Sequence, residues 1–80
     1  MTTYHIELRI DLFTKAARLA GFRSDYKLAP AMGVNRSTVA RVVSGTQQPG
    51  ASFIAGALTA LPPMTFEDLF QVIADPDKPA

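Results

Sequence analysis

Eighty residues without a cysteine make one domain, near the lower size at which apolar packing alone holds a core. A disulfide framework and a thiolate metal cluster are excluded, and no apolar run approaches the length of a membrane span. The net charge of +1 conceals an asymmetry: residues 15–45 hold Lys15, Arg18, Arg23, Lys27, Arg36 and Arg41 against Asp25, while the chain after Gly45 holds Glu67, Asp68, Asp75 and Asp77 against Lys78.

A basic middle and an acidic end suggest one face suited to a polyanion and another turned away from it. Met1-Thr2-Thr3-Tyr4-His5 lacks the basic-then-apolar pattern of a signal peptide, so a soluble, cytoplasmic protein is expected.

Along the chain, Tyr4, Ile6, Leu8 and Ile10 alternate with His5, Glu7, Arg9 and Asp11, a period of two that predicts a half-buried strand over 4–10. The period then changes. Leu12, Phe13, Ala16, Ala17, Leu19 and Ala20 form a helical stripe, with Asp11 as N-cap and Gly21 as stop. Ser24 is placed to cap a second helix with Leu28, Ala29 and Met32 inward. Asn35 is placed to cap a third, over 36–44, with Val39, Val42 and Val43 inward.

After the loop Thr46-Gln47-Gln48-Pro49-Gly50, a fourth helix is predicted from about Ser52 to Leu61, stopped by Pro62-Pro63. Thr65-Phe66-Glu67-Asp68 has the spacing of a capping box and opens one short turn. Phe70-Gln71-Val72-Ile73 reads as a last strand, about 70–74, pairing with the first, and 75–80 as a frayed tail.

The segment 25–44 is the most specific feature. Two helices that cross after a short turn need a small residue where they meet, a left-handed residue in the turn and a branched apolar plug in the second helix. Ala29, Gly33 and Val39 meet those demands in order, and Leu28, Met32, Val34 and Val42 fill the remaining slots. The run Lys27-Leu28-Ala29-Pro30-Ala31-Met32-Gly33-Val34-Asn35-Arg36-Ser37-Thr38-Val39-Ala40-Arg41-Val42-Val43-Ser44-Gly45 resembles the phage-repressor-type helix-turn-helix regulators, the group of the lambda and 434 repressors and Cro. With Pro49-Gly50-Ala51-Ser52-Phe53-Ile54 the resemblance covers about residues 11–61.

The resemblance implies a mainly α domain of four to five helices, to which the strand patterns at 4–10 and 70–74 add a small two-stranded sheet joining the ends. It implies a partner, double-stranded DNA, whose major groove receives the helix 36–44. Arg36, Ser37 and Arg41 are its candidate base contacts, the arginine forks suiting guanine. Ser24, Lys27, Asn35, Thr38, Ser44, Thr46 and Gln47 are candidate phosphate contacts or supports. For each, a cap or a solvated surface residue is the alternative. Two residues depart from the pattern: Pro30 lies inside the first helix of the pair, which is expected to be kinked or short, and Asp25 is ill suited to a phosphate.

No catalytic constellation, metal site or cofactor is expected. His5 is the one histidine and reads as a solvated side chain on the polar face of the first strand. Asp75 and Asp77 are too few ligands for a calcium loop. The sequence therefore predicts a transcriptional regulator, most often a repressor in the family it resembles, of phage or mobile-element type. A homodimer is expected as one partner state. The rival is an antitoxin or adaptor that uses the C-terminal apolar segment, Phe66, Leu69, Phe70, Val72 and Ile73, to clamp a protein.

Overall fold

The computed structural model describes residues 1–76, so the expected tail residues Asp77-Lys78-Pro79-Ala80 lie outside the described part. Seven elements follow one another: β1 (Thr3–Leu8), α1 (Ile10–Leu19), α2 (Asp25–Met32), α3 (Arg36–Ser44), α4 (Ala51–Ala60), α5 (Phe66–Leu69) and β2 (Phe70–Asp75). The architecture is mainly α with one small sheet, as the sequence predicts. The two strands are antiparallel, in a register running from Thr3 opposite Asp75 to Leu8 opposite Phe70.

The first strand is shorter than its alternation suggests. Arg9 and Ile10 continue the period of two, yet Ile10 already opens α1. The backbone explains the change. Arg9 donates its N–H to the Leu69 carbonyl at 2.8 Å, beside the last ladder pair, while its own carbonyl accepts from Phe13 at 2.8 Å. Its Nε also donates to the Glu67 carbonyl at 3.1 Å. Arg9 is thus the N-cap, and Asp11 sits in the first turn instead, where an acid favours the positive end of the helix dipole. At the other end, Asp75 belongs to β2 and not to the tail.

Alternation also predicts Tyr4, Ile6 and Leu8 inward together. They do share a face, but cover reaches only one end of it. Leu8 and Phe70 are buried and Ile6 packs partly against the core, whereas Tyr4 is 67% exposed and Val72 60%. The ribbon outruns the helices beneath it, in a molecule 46 Å long and 24 Å wide.

The core gathers around three rings. Phe13 of α1 lies 5.6 Å from Phe53 of α4, and Phe53 meets Phe70 of β2 edge-on at 6.3 Å. Such tilted and edge-to-face pairs add to the apolar area that the rings bury. Val39, Leu61 and Leu69 fill the space around them. Helix α2 packs against both α3 and α4. The α2–α4 seam depends on Gly56, where a Cβ would collide with the Met32 backbone carbonyl.

The short α5 begins with the expected capping box. Thr65 Oγ1 accepts from the Asp68 N–H, and Asp68 Oδ2 accepts from the Thr65 N–H at 2.8 Å. Those hydrogen bonds favour the carboxylate and hold Asp68 below its ordinary value. Among the described residues, no helix is long and apolar enough to cross a membrane.

Candidate nucleic-acid interface

Helix α2 starts after Ser24, an extended residue whose carbonyl accepts from Lys27 and Leu28. Its hydroxyl makes no capping bond, so the expected cap holds by position and not by side chain. The helix runs through Pro30, exposed in its last turn, and is short at 8 residues. The missing N–H removes one hydrogen bond, but two others close the end just after it. Gly33, at φ 71°, donates to the Pro30 carbonyl at 3.1 Å, and Val34 donates to Ala29 at 3.1 Å. This paired closure requires a left-handed residue, which glycine adopts without steric cost.

Three residues, Gly33-Val34-Asn35, separate α2 from α3. Asn35 precedes α3 in an extended conformation, its carbonyl accepting from Thr38 and Val39, and again its side chain makes no capping bond. Val39 and Val42, fully buried, fix the inner side of α3. The opposite side is an exposed stripe at helical spacing: Arg36, Ser37, Ala40, Arg41 and Ser44. Thr38 is half-buried to one side, in a groove shared with Asn35, Gln47 and Ser52.

The candidate base contacts therefore lie together on one open surface. Lys27, Asn35, Thr46 and Gln47 are exposed as well. Ser24 opens elsewhere, onto a hollow shared with Arg18 and Arg23. Among the described residues, Lys27, Arg36 and Arg41 form no ion pair, so their charge is not cancelled by a neighbouring carboxylate.

The loop after α3 has a structural task of its own. Gly45, at φ 83°, donates to Val42 at 3.1 Å, and Thr46 donates its N–H to Arg41 at 3.0 Å, repeating the closure seen at Gly33. The hydroxyls of Ser44 and Thr46 approach the same Arg41 carbonyl at 3.0 and 3.2 Å, and each other at 3.1 Å. These side chains brace the end of α3 beneath Arg41.

Two members of this surface carry no signal that sequence reasoning used. Ala40 leaves the middle of the stripe low, which lets a broad surface come close. Tyr26, 72% exposed, places its ring under the Arg36 guanidinium, 3.8 Å from Cζ to the ring centroid. The two residues are ten apart and belong to different helices, so only the turn at Gly33 brings them together.

A second polar cluster corrects the reading of His5. Its side chain is only 18% exposed and is clasped between two carboxylates, Nδ1 to Asp75 Oδ2 and Nε2 to Glu7 Oε2, each at 2.8 Å. Pairing with β2 places Thr3 opposite Asp75, two residues from His5 along the same face, and this closes the clasp. The hydrogen bond the ring donates to Glu7, then that to Asp75, raises the imidazole above its ordinary value by favouring the protonated ring. A hollow of about 300 Å³ separates this end of the ribbon from the loop after α3, with His5, Glu7, Val42, Gln47 and Pro49 in its walls.

Fold and surface together define a mainly α domain in which α3, joined to α2 by a three-residue turn, presents an exposed face with two arginines outside any ion pair among the described residues. Comparison with protein-family models, curated proteins and solved structures finds no match to the chain.

Proposed function

We propose that this protein binds double-stranded DNA with sequence preference, laying α3 into the major groove. One observation carries the reading: the exposed stripe of Arg36, Ser37, Ala40, Arg41 and Ser44 opposite two fully buried valines, with neither arginine in an ion pair among the described residues. Unpaired guanidinium forks on a helix held from behind are suited to the paired acceptors of guanine. Asn35 and Thr38 at the start of α3, Lys27 on α2, and Thr46 and Gln47 after α3 are proposed to meet phosphates, while Ser24, which opens elsewhere, is left out of the interface. The resemblance to phage-repressor-type regulators agrees with this reading and extends it to transcriptional regulation, chiefly repression, in the cytoplasm of a prokaryotic or phage-infected cell.

Selection from a randomised duplex pool, followed by titration at several salt concentrations, tests the proposal. Affinity is expected to fall steeply with salt through release of counterions. Arg36→Ala and Arg41→Ala should each weaken specific binding by about 1–3 kcal/mol and relax preference at one position, with the circular dichroism spectrum unchanged. Equal binding of every duplex, or wild-type behaviour of both variants, would sink the assignment of α3.

The exposed Tyr4 and Val72 favour a second reading, that of a module whose ribbon docks on another protein. The two readings are compatible. The ribbon's open strand edges also offer a route to a homodimer, which would set two α3 helices about 34–36 Å apart on a palindromic target.

A further inference from the structure

Arg36 is the first residue of α3 and one of its candidate base contacts. A long guanidinium side chain on an exposed helix start samples many rotamers, and binding a base edge requires that one of them be fixed. Tyr26 already restricts them. Its ring lies face-on to the guanidinium at 3.8 Å, from a position in the first turn of α2 whose next turn is buried through Leu28 and Ala29. The phenol serves no purpose in the core, being 72% exposed.

The chemistry of the hold matters. A carboxylate beside Arg36 would occupy its N–H groups and cancel its charge. An aromatic face holds the guanidinium by its plane and leaves the whole rim of donors free. The guanidinium is held over the ring, and its N–H groups are committed to no carboxylate. Asp25, the one acid of α2, lines a separate groove between α2 and α3 with Tyr26 and Arg36 but makes no ion pair with Arg36.

We propose that Tyr26 is a positioning residue: it presets the Arg36 guanidinium for paired hydrogen bonds to a guanine edge and so makes one base pair of the target an obligatory G·C. The inference rests on the reading of α3 as a DNA-recognition helix and assigns its specificity to a residue outside that helix.

The test uses the whole chain on the duplex selected above and on its single-base-pair variants. Tyr26→Phe keeps the ring and should retain wild-type discrimination. Tyr26→Leu removes the ring and should weaken binding to the preferred duplex about 3- to 10-fold. It should relax preference only at the base pair that Arg36→Ala also relaxes. In an Arg36→Ala background, Tyr26→Leu should change nothing further. Tyr26→Gln serves as a second ring-less variant and should match the leucine result, and thermal melting should place all of these variants with the wild type.

An equal loss in both backgrounds would overturn the proposal, since the ring would then touch DNA on its own account. Tighter binding by Tyr26→Leu would overturn it too, by showing that the stack holds Arg36 away from the groove. If the wild type is selective and Tyr26→Leu matches it, the positioning role alone falls. If the wild type shows no sequence preference, the reading of α3 falls and takes this inference with it.

Discussion

The helix-turn-helix and the ribbon treat charge and apolar surface in opposite ways. On α3 the polar side chains stay open while Val39 and Val42 behind them are sealed. On the ribbon the charges are spent on one another, with His5 between Glu7 and Asp75, while Tyr4 and Val72 stay uncovered. A surface meant for a polyanion needs unspent cations over a rigid base. Helix α3 combines the two, as do Lys15 and Arg18 of α1 over the buried Phe13, Ala16 and Ala17; the ribbon does not. The ribbon's clasp instead satisfies its charged side chains internally, which leaves apolar contact and the open strand edges as the chemistry it has to offer.

The largest expected effect tests the rigidity beneath α3. Gly56→Ala places a methyl against the Met32 carbonyl, which is backbone and cannot swing aside. Overpacking there should cost about 3 kcal/mol, read from chemical denaturation. A variant as stable as the wild type would mean that α2 and α4 separate freely, and the contrast between a rigid end and a loose one would fail.

Within the ribbon, one face should divide in two. Leu8→Ala removes a buried side chain next to Phe70 and should cost about 2 kcal/mol. Tyr4→Thr, four residues away on the same face, should stay within about 0.5 kcal/mol. Equal costs at both positions would show that the outer ribbon is covered in solution, which would favour the homodimer or a docked protein.

The smallest effect concerns the clasp. Because folding raises the His5 pKa, the clasp contributes fully below about pH 6.5, the ordinary value for histidine, and its contribution is lost as the pH rises through the raised value. An NMR titration of the imidazole should therefore place its midpoint above the ordinary value. Glu7→Gln and Asp75→Asn should each lower that midpoint. A midpoint at the ordinary value in the wild type would mean that the clasp is open in water.

The helix-turn-helix was the most legible part of the chain because its constraints are local. Gly33 and Gly45 mark two helix ends by backbone conformation alone, and the bounds 25–44 follow from them and from the apolar spacing. The exposed placement of Arg36, Ser37 and Arg41 follows once Val39 and Val42 point inward. Facts that depend on contact between distant residues were not legible. Period-two alternation shows which side chains share a face, but not how far that face is covered, so Tyr4 was expected inside. His5 looked solvated because Asp75 lies 70 residues away and reads as part of a tail. Nothing around Gly56 in the sequence announces the Met32 backbone. Tyr26 gains its contact only through the turn at Gly33, which brings Arg36 over it.

The ribbon also constrains the order of events in folding. The capping box, the paired closures at Gly33 and Gly45 and the α2–α3 turn join residues close in sequence, and such contacts form early and cheaply. Strand pairing joins Thr3 to Asp75, across nearly the whole chain, and in the unfolded state that approach carries the greatest loop-closure entropy in the molecule. Arg9 bonds Leu69 at the corner from which both strands leave, so packing of α1 against α5 brings the inner ends of the strands together. Pairing is expected to extend outward from Leu8–Phe70, and amide exchange should find the last pair, Thr3–Asp75, the first to open.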